Sequence, residues 1–128
     1  MSQNQASGAA ANQWGRTIAR EIADKIDATM VSSNSNECTF KNDQAVIKCA
    51  KPNTDSVGVT YKMLERLNVV IGAFQTESGN FEIYVLPKQH FEAKMRPTAS
   101  QGSAKGKVGI LRKSEFESNG TYYGRVII

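Results

Sequence analysis

Residues 36–51 constrain the fold of this chain most, because they predict two short strands around a polar turn at residues 41–44. The second strand carries Lys48 directly after Val46 and Ile47. An ammonium group on an apolar strand costs free energy unless it faces a cleft, a carboxylate or another partner. Lys48 is therefore the first candidate for a functional side chain. The alternative is a strand-end lysine whose ammonium group reaches solvent.

The remaining pattern predicts further helices and strands on both sides of this pair. Apolar residues at every fourth position, from Trp14 to Ile26, predict an amphipathic helix that Asn12 caps. A second helix is predicted over residues 57–67, and a buried central strand over residues 68–74. Strands are also predicted at residues 81–86, 108–111 and 122–128, with a short helix at residues 87–95 and a flexible basic loop at residues 96–107.

The length of 128 residues suits one domain with one core. The element order predicts a single α/β domain over residues 13–128, with a mixed sheet flanked by helices. Residues 1–12 are mostly small and polar, and we expect them to form a flexible tail. The chain has no apolar run of membrane-spanning length and no signal-peptide pattern at its start, which predicts a cytoplasmic protein without membrane contact.

Positive charge is concentrated in the last third of the chain. Residues 1–86 hold 8 Lys and Arg against 9 Asp and Glu, a net charge of −1, whereas residues 87–128 hold 8 against 3, a net charge of +5. Such an excess favours an anionic partner such as nucleic acid, and the alternative is a solvated surface. The predicted nucleic-acid contacts are Arg96, Lys105, Lys107, Arg112 and Lys113.

The chain has one histidine and two cysteines, Cys38 and Cys49, which could face each other on the two predicted strands. Two cysteines do not make a disulfide framework, and buried thiols are expected in a reducing compartment. Neither cysteine has the spacing of a zinc site. A catalytic metal would therefore need oxygen ligands, which points to Mg²⁺ or Mn²⁺.

Over residues 14–86 the order of elements resembles the PD-(D/E)XK nuclease superfamily, the fold of many restriction endonucleases. Glu21 matches the helix acid of that family, Glu37 the first strand acid and Lys48 the motif lysine. The position two residues before Lys48 is Val46, where the family has Asp or Glu, and Asp43 in the turn is the nearest preceding acid. Gln44 shares the strand parity of Lys48 and is a polar substitute for the absent acid.

The resemblance implies a restriction-endonuclease-like core and a magnesium-dependent nuclease, with DNA as the favoured substrate and a homodimer as the working form. In that reading Glu21, Glu37 and Asp43 bind Mg²⁺ or Mn²⁺, and Lys48 assists the attacking water. The alternative is a non-catalytic module on the same core that binds nucleic acid or a protein, which the absent acid at Val46 favours.

Overall fold

A computed structural model gives the fold and describes residues 2–98 and 107–128, with side chains from residue 13 onward. Within these residues the chain forms four helices and nine strands. The helices are α1 (Ser2–Lys25), α2 (Tyr61–Leu64), α3 (Lys88–Lys94) and α4 (Lys113–Asn119). The strands are β1 (Thr29–Met30), β2 (Glu37–Phe40), β3 (Asp43–Ala50), β4 (Ser56–Thr60), β5 (Val69–Gln75), β6 (Phe81–Pro87), β7 (Arg96–Pro97), β8 (Val108–Arg112) and β9 (Thr121–Val126).

Six strands form one mixed sheet in the order β1-β2-β3-β5-β6-β9. Strands β3 and β5 are parallel, and every other neighbouring pair in this sheet is antiparallel. A second, antiparallel sheet has the order β4-β8-β7. The predicted α/β domain with a mixed sheet and flanking helices is therefore confirmed.

The six-stranded sheet separates two apolar cores. Helix α1 covers one face, where its Ile22 and Ile26 pack with Ile47 of β3 and Ile83 of β6. Helices α2, α3 and α4 cover the other face, where they bury Leu64, Phe91 and Phe116, respectively. Alternate residues of a strand point to opposite faces, so the central strands β3, β5 and β6 supply both cores.

Helix α1 confirms the predicted amphipathic helix but begins at Ser2 rather than at Asn12. Alanines recur through its first half, at positions 6, 9, 10 and 11, and alanine has the highest helix propensity of any residue. Propensity therefore extends the helix into the segment that composition alone assigned to a tail. No helix in the described part of the chain is both long enough and apolar enough to cross a membrane.

Strands β2 and β3 confirm the predicted pair around a polar turn, and the turn itself is shorter than predicted. Phe40 pairs with Asp43, so only Lys41 and Asn42 lie between the strands. Both residues have positive φ, 49° for Lys41 and 69° for Asn42, as a tight type I′ hairpin requires. Its backbone twist matches the twist of the flanking strands and fixes their register.

The predicted helix over residues 57–67 is wrong for its first half. Residues Ser56–Thr60 form strand β4, in which Val57 and Val59 are buried and their neighbours are more exposed. This period of two is the pattern of a strand, and β-branched residues favour it. Only Tyr61–Leu64 is helical, starting where the Thr60 hydroxyl accepts a hydrogen bond from the Met63 amide at 3.1 Å.

The second half of the chain follows the prediction closely. Strands β5 and β6 pair antiparallel along their whole length, and the predicted short helix is confirmed as α3, which begins at Lys88 rather than at Pro87 because Pro87 ends β6. The segment between the last two predicted strands forms helix α4, which the sequence did not indicate. Of the predicted basic loop, Arg96 and Pro97 form strand β7, and residues 99–106 lie outside the described residues.

Candidate nucleic-acid interface

The pairing of β2 with β3 decides which predicted catalytic side chains share a face. Glu37 pairs with Val46, a buried residue of the core beneath α2. Lys48 follows Val46 by two residues and therefore lies on the same face as Glu37. Asp43 pairs with Phe40, which belongs to the core beneath α1, so Asp43 lies on the opposite face.

Glu37 has a partner other than a metal. Its carboxylate binds the guanidinium group of Arg66, just after α2, with Oε1 at 2.5 Å from Nη2 and Oε2 at 3.3 Å from Nε. The Glu37 side chain is 14% exposed, and this two-point contact ties β2 to the end of α2. Donation of these hydrogen bonds to Glu37 also raises the pKa of Arg66 above its ordinary value.

Glu21 is exposed on α1, away from the buried stripe that faces the sheet. Helix α1 covers the face of the sheet opposite Glu37, and the structure does not bring Glu21, Glu37 and Asp43 to one point. Within the described residues no three His, Cys, Asp or Glu side chains form a group suited to a metal ion. This arrangement does not fit the Mg²⁺ or Mn²⁺ site that the resemblance implies.

Lys48 is half-buried and lies in a cleft rather than at a solvated strand end. It lines two cavities, of about 300 Å³ and about 200 Å³, that share Lys48 and Asn36. We call these two cavities together the Lys48 cleft. Burial lowers the pKa of the Lys48 ammonium below its ordinary value, although the neighbouring Cys49 acts in the opposite direction. Across the sheet Lys48 pairs with Gly72, which has no side chain to compete for space.

Asn36 supplies an unpaired acceptor in the same cleft. Its Oδ1 atom is buried and accepts no hydrogen bond from any described residue. A buried acceptor without a donor costs about 1–3 kcal/mol, so its retention marks a place where a ligand donor is expected. The backbone of Asn36 is fixed, because its carbonyl accepts a hydrogen bond from the Ile47 amide at 3.1 Å.

Two further cations, Arg16 and Lys51, line the Lys48 cleft. The Lys51 ammonium lies 5.0 Å from the ring centroid of Trp14, a cation–π contact that holds it at the cleft wall. None of the described residues lining either cavity is acidic. The cleft therefore presents three cations to a ligand without a carboxylate to neutralise them.

Sequence reasoning assigned Lys48 and missed Arg16, Asn36 and Lys51. Lys48 and Lys51 are three residues apart at the end of one strand, which is a readable signal for a local basic site. Arg16 and Asn36 carry no such signal, because they reach the cleft from α1 and from the connection before β2. Tertiary structure alone places them beside Lys48.

The structure groups only part of the predicted basic contact surface. Arg96 and Arg112 line one cavity of about 250 Å³ together with Lys94, and Glu115 lies in the same wall. Lys107 is exposed beside the start of α2, where its carbonyl accepts from the Tyr61 amide at 3.0 Å. Lys113 begins α4, with its ammonium 5.8 Å from the Phe74 ring centroid. Lys105 lies outside the described residues.

Neither thiol belongs to a disulfide, and the two cysteines do not face each other. Cys38 pairs with Ala45, whereas Cys49 pairs with Ala73 on the other side of β3. Burial raises the pKa of Cys38 to about 11 and that of Cys49 to about 12, and Lys48 partly offsets the effect at Cys49. Protonated thiols are poor nucleophiles and poor metal ligands, so neither cysteine adds reactivity to the cleft.

The arrangement can bind an anion that also carries hydrogen-bond donors. Ammonium and guanidinium groups contact phosphate oxygens, while the Asn36 amide oxygen accepts from a hydroxyl or amino group. Comparison with known proteins adds no assignment, since no protein-family model matches the chain and no curated protein matches it significantly.

Proposed function

We propose that this protein binds nucleic acid, preferably DNA, with backbone phosphates held in the Lys48 cleft, and that it does so without cleaving the strand. One observation carries this proposal: Arg16, Lys48 and Lys51 line a cleft in which none of the described lining residues is acidic. Cations that neutralise phosphates release counterions from nucleic acid, and this release drives binding. The net charge of +4 acts in the same direction.

The order of elements supports the proposal of a nuclease-like core of the PD-(D/E)XK kind. Helix α1 is followed by three antiparallel strands of the six-stranded sheet, then by β4 of the second sheet and α2, and then by β5, which is parallel to β3. Lys48 lies on the third strand and Glu37 on the second, the two positions that the resemblance assigns to the motif lysine and a strand acid. The homodimer that the resemblance also implies stays a prediction.

The geometry favours binding over hydrolysis. Cleavage with Mg²⁺ needs carboxylates that converge on the metal. Here the residue opposite Glu37 is Val46, and the Glu37 carboxylate is held by Arg66. Asp43 lies on the other face of the sheet. The arrangement retains the basic residue of a nuclease motif in the absence of a matching set of acids.

Substitution of the central cation tests the proposal. Lys48→Met keeps the length of the side chain and removes its charge, and Lys25→Met makes the same change at an exposed position in the last turn of α1. We expect fluorescence anisotropy with labelled DNA and RNA oligonucleotides to show salt-sensitive binding by the wild-type protein. Lys48→Met should weaken this binding by about threefold to tenfold and reduce the slope of log affinity against log salt concentration by about 1. Lys25→Met should change neither the affinity nor this slope appreciably.

Three outcomes contradict the proposal. Equal affinities of the Lys48→Met and Lys25→Met variants for nucleic acid would show that the Lys48 cleft does not contact it. No affinity for any nucleic acid at low salt would exclude this class of ligand and favour a protein partner. Incubation of the oligonucleotides with Mg²⁺ or Mn²⁺ tests the catalytic alternative, since cleavage by the wild-type protein that Lys48→Ala abolishes would show a nuclease.

A further inference from the structure

Another cavity, of about 440 Å³, lies at the other end of the sheet from the Lys48 cleft. Its lining residues are Phe40, Lys41, Asp43, Val85, Thr121, Tyr122 and Tyr123. Asp43 and Lys48 are five residues apart on β3, which corresponds to about 16 Å, and they point to opposite faces of the sheet. The Lys48 cleft and this cavity are therefore separate sites.

The wall of this cavity is aromatic. The Tyr123 ring contacts the Phe40 ring edge-on, with centroids 5.8 Å apart. Phe40 is buried, at 4% exposure, and gives Tyr123 a rigid support, while Tyr123 itself keeps 41% of its surface accessible. The Tyr123 hydroxyl makes no hydrogen bond to any described residue. An exposed ring on a fixed support is what a planar ligand needs for stacking.

The neighbouring Tyr122 is less suited to stacking, because its hydroxyl and its ring both have partners within the protein. Its hydroxyl donates to the Glu82 carboxylate at 2.5 Å, and its ring packs 5.2 Å from that of Tyr84. Tyr84 belongs to the core beneath α2, on the face opposite Phe40. Tyr122 is 52% exposed and also lines the cavity, but its hydroxyl and ring are fixed by Glu82 and Tyr84, whereas the Tyr123 hydroxyl bonds to no described residue.

A cation and two polar side chains complete the cavity. The tight turn at Lys41 and Asn42 places the Lys41 ammonium 5.3 Å from the Phe40 ring centroid and 5.7 Å from that of Tyr123. No carboxylate among the described residues forms an ion pair with Lys41, although Asp43 lines the same cavity. Asp43 and Thr121 offer oxygen acceptors next to the aromatic wall.

We infer that this cavity is a nucleotide-binding site, in which the base stacks on Tyr123, the phosphate contacts Lys41, and Asp43 accepts a hydrogen bond from a base amino group. The inference goes beyond the Lys48 cleft, because it assigns a base-contacting site to a different face of the sheet. A free mononucleotide and a nucleotide within a single strand present the same chemistry. The volume of about 440 Å³ is within the range of small-ligand cavities.

Titration of the ¹⁵N-labelled protein with mononucleotides, followed by NMR, tests the inference directly. We expect AMP, CMP, GMP or UMP to shift the amide signals of Lys41, Asn42 and Tyr123. Ribose 5-phosphate, which has the phosphate but lacks a base, should shift the Lys41 signal only weakly and leave the Tyr123 signal unchanged. A short single-stranded oligonucleotide forms the second arm: shifts with both probes identify a site for free nucleotides, and shifts with the oligonucleotide alone identify a site for a strand.

Variants separate stacking from simple charge attraction. Tyr123→Ala should weaken binding at this site by about tenfold, the usual effect of losing one stacked ring. Tyr123→Phe should retain the affinity, and Ile127→Ala serves as a control, since Ile127 is 67% exposed next to the same strand. Lys25→Met, at an exposed position of α1, should leave binding at this cavity unchanged, and the signals of Lys41, Asn42 and Tyr123 report this cavity separately from the Lys48 cleft, so that failure of one site does not imply failure of the other.

Three results would overturn the inference. One is the absence of shifts at Lys41, Asn42 and Tyr123 with all mononucleotides and with the oligonucleotide. Another is an equal response to ribose 5-phosphate, which would indicate phosphate binding without a base. The third is unchanged affinity in Tyr123→Ala while its amide spectrum shows that the variant is folded.

Discussion

Tyr123 of β9 contacts Phe40 of β2, although strands β3, β5 and β6 lie between them in the sheet. Neighbouring strands are about 4.8 Å apart, so β2 and β9 would be about 19 Å apart in a flat sheet. Ring centroids 5.8 Å apart therefore require that the sheet curls around α1 at this end. The aromatic cavity owes its existence to that curvature.

The two rings of this contact should contribute unequally to stability. Phe40→Ala removes a buried ring and is expected to lower the free energy of unfolding by about 3–5 kcal/mol. Tyr123→Ala removes a half-exposed ring and should cost about 1 kcal/mol, the value of an aromatic pair. Urea denaturation followed by circular dichroism measures both. Similar losses for the two variants would mean that Tyr123 is part of the core rather than a ligand-facing wall.

The local signals in the sequence explain how much of the fold could be predicted. The hairpin of β2 and β3 and the pair of β5 and β6 were found because an apolar run, a polar turn and a second run lie next to each other. The helix over residues 57–67 was assigned wrongly because Val59, Met63 and Leu67 follow a helical period. Strand β4 pairs with β8, more than forty residues later in the chain, and no local pattern reports such a partner.

The candidate site was predictable only where its residues are close in sequence. Lys48 could be recognised from its apolar neighbours, and Lys51 is three residues away. The face of the sheet to which Glu37 and Asp43 point depends on the register, which the two-residue turn sets. A turn of another length would change the register and move these side chains to other faces. The contribution of Arg16 and Asn36 depends on how α1 and the connection before β2 pack against β3.

A glycine beside Lys48 should resist substitution. A Cβ atom on Gly72 would lie 2.7 Å from Cε2 of Phe74 and 2.9 Å from Cδ1 of Phe116, two buried rings with little room to move. We expect Gly72→Ala to lower the free energy of unfolding by about 1–3 kcal/mol. Gly15→Ala is the control, because nothing lies within 4 Å of its Cβ position. Alanine favours a helix over glycine, so this variant should raise the free energy of unfolding by about 0.5–1 kcal/mol. Equal effects would contradict the packing around Gly72.

The buried ammonium group of Lys48 should lower the free energy of unfolding, even though we propose that it contributes to ligand binding. Burial lowers the pKa of Lys48, so the unfolded chain binds the proton more tightly than the folded chain. The contribution of Lys48 to the unfolding free energy should therefore rise with pH between its lowered pKa and the ordinary value of 10.5, whereas the two buried thiols, whose pKa values are raised, act in the opposite direction at alkaline pH and do so in both the wild-type protein and the variant. Lys48→Met should raise stability at neutral pH and abolish this rise. Urea titrations at several pH values measure both effects, and a less stable Lys48→Met variant would contradict the burial cost.

The thiols should be unreactive in the folded protein. At three pH units below a pKa of about 11, roughly one Cys38 side chain in a thousand is ionised, and Cys49, with a pKa of about 12, is ionised still less. We expect iodoacetamide at about pH 8 to leave both cysteines unmodified over a period in which the urea-unfolded chain reacts at both. Mass spectrometry measures the result. Rapid alkylation of either cysteine in the native protein would show that the site opens.

Glu82 should make the fold sensitive to acid. Its carboxylate accepts hydrogen bonds from the Tyr122 hydroxyl and from Arg125, with Nη2 at 2.8 Å, and these contacts lower its pKa, the tyrosine having the larger effect. A carboxyl group with a lowered pKa stabilises the fold above its ordinary pKa, and this contribution disappears as the pH falls through the folded value. Stability should therefore decrease below about pH 4.

The hydroxyl of Tyr122 provides the test of this acid sensitivity. Tyr122→Phe should raise the pKa of Glu82 towards its ordinary value and lower stability at about pH 7, with a smaller loss at about pH 3, because the loss diminishes as Glu82 becomes protonated. Tyr123→Phe is the matched control, because its hydroxyl bonds to no described residue, and it should change stability at neither pH. Urea denaturation at both pH values measures the difference. A loss in Tyr122→Phe that is the same at both pH values would assign it to packing rather than to the charge of Glu82.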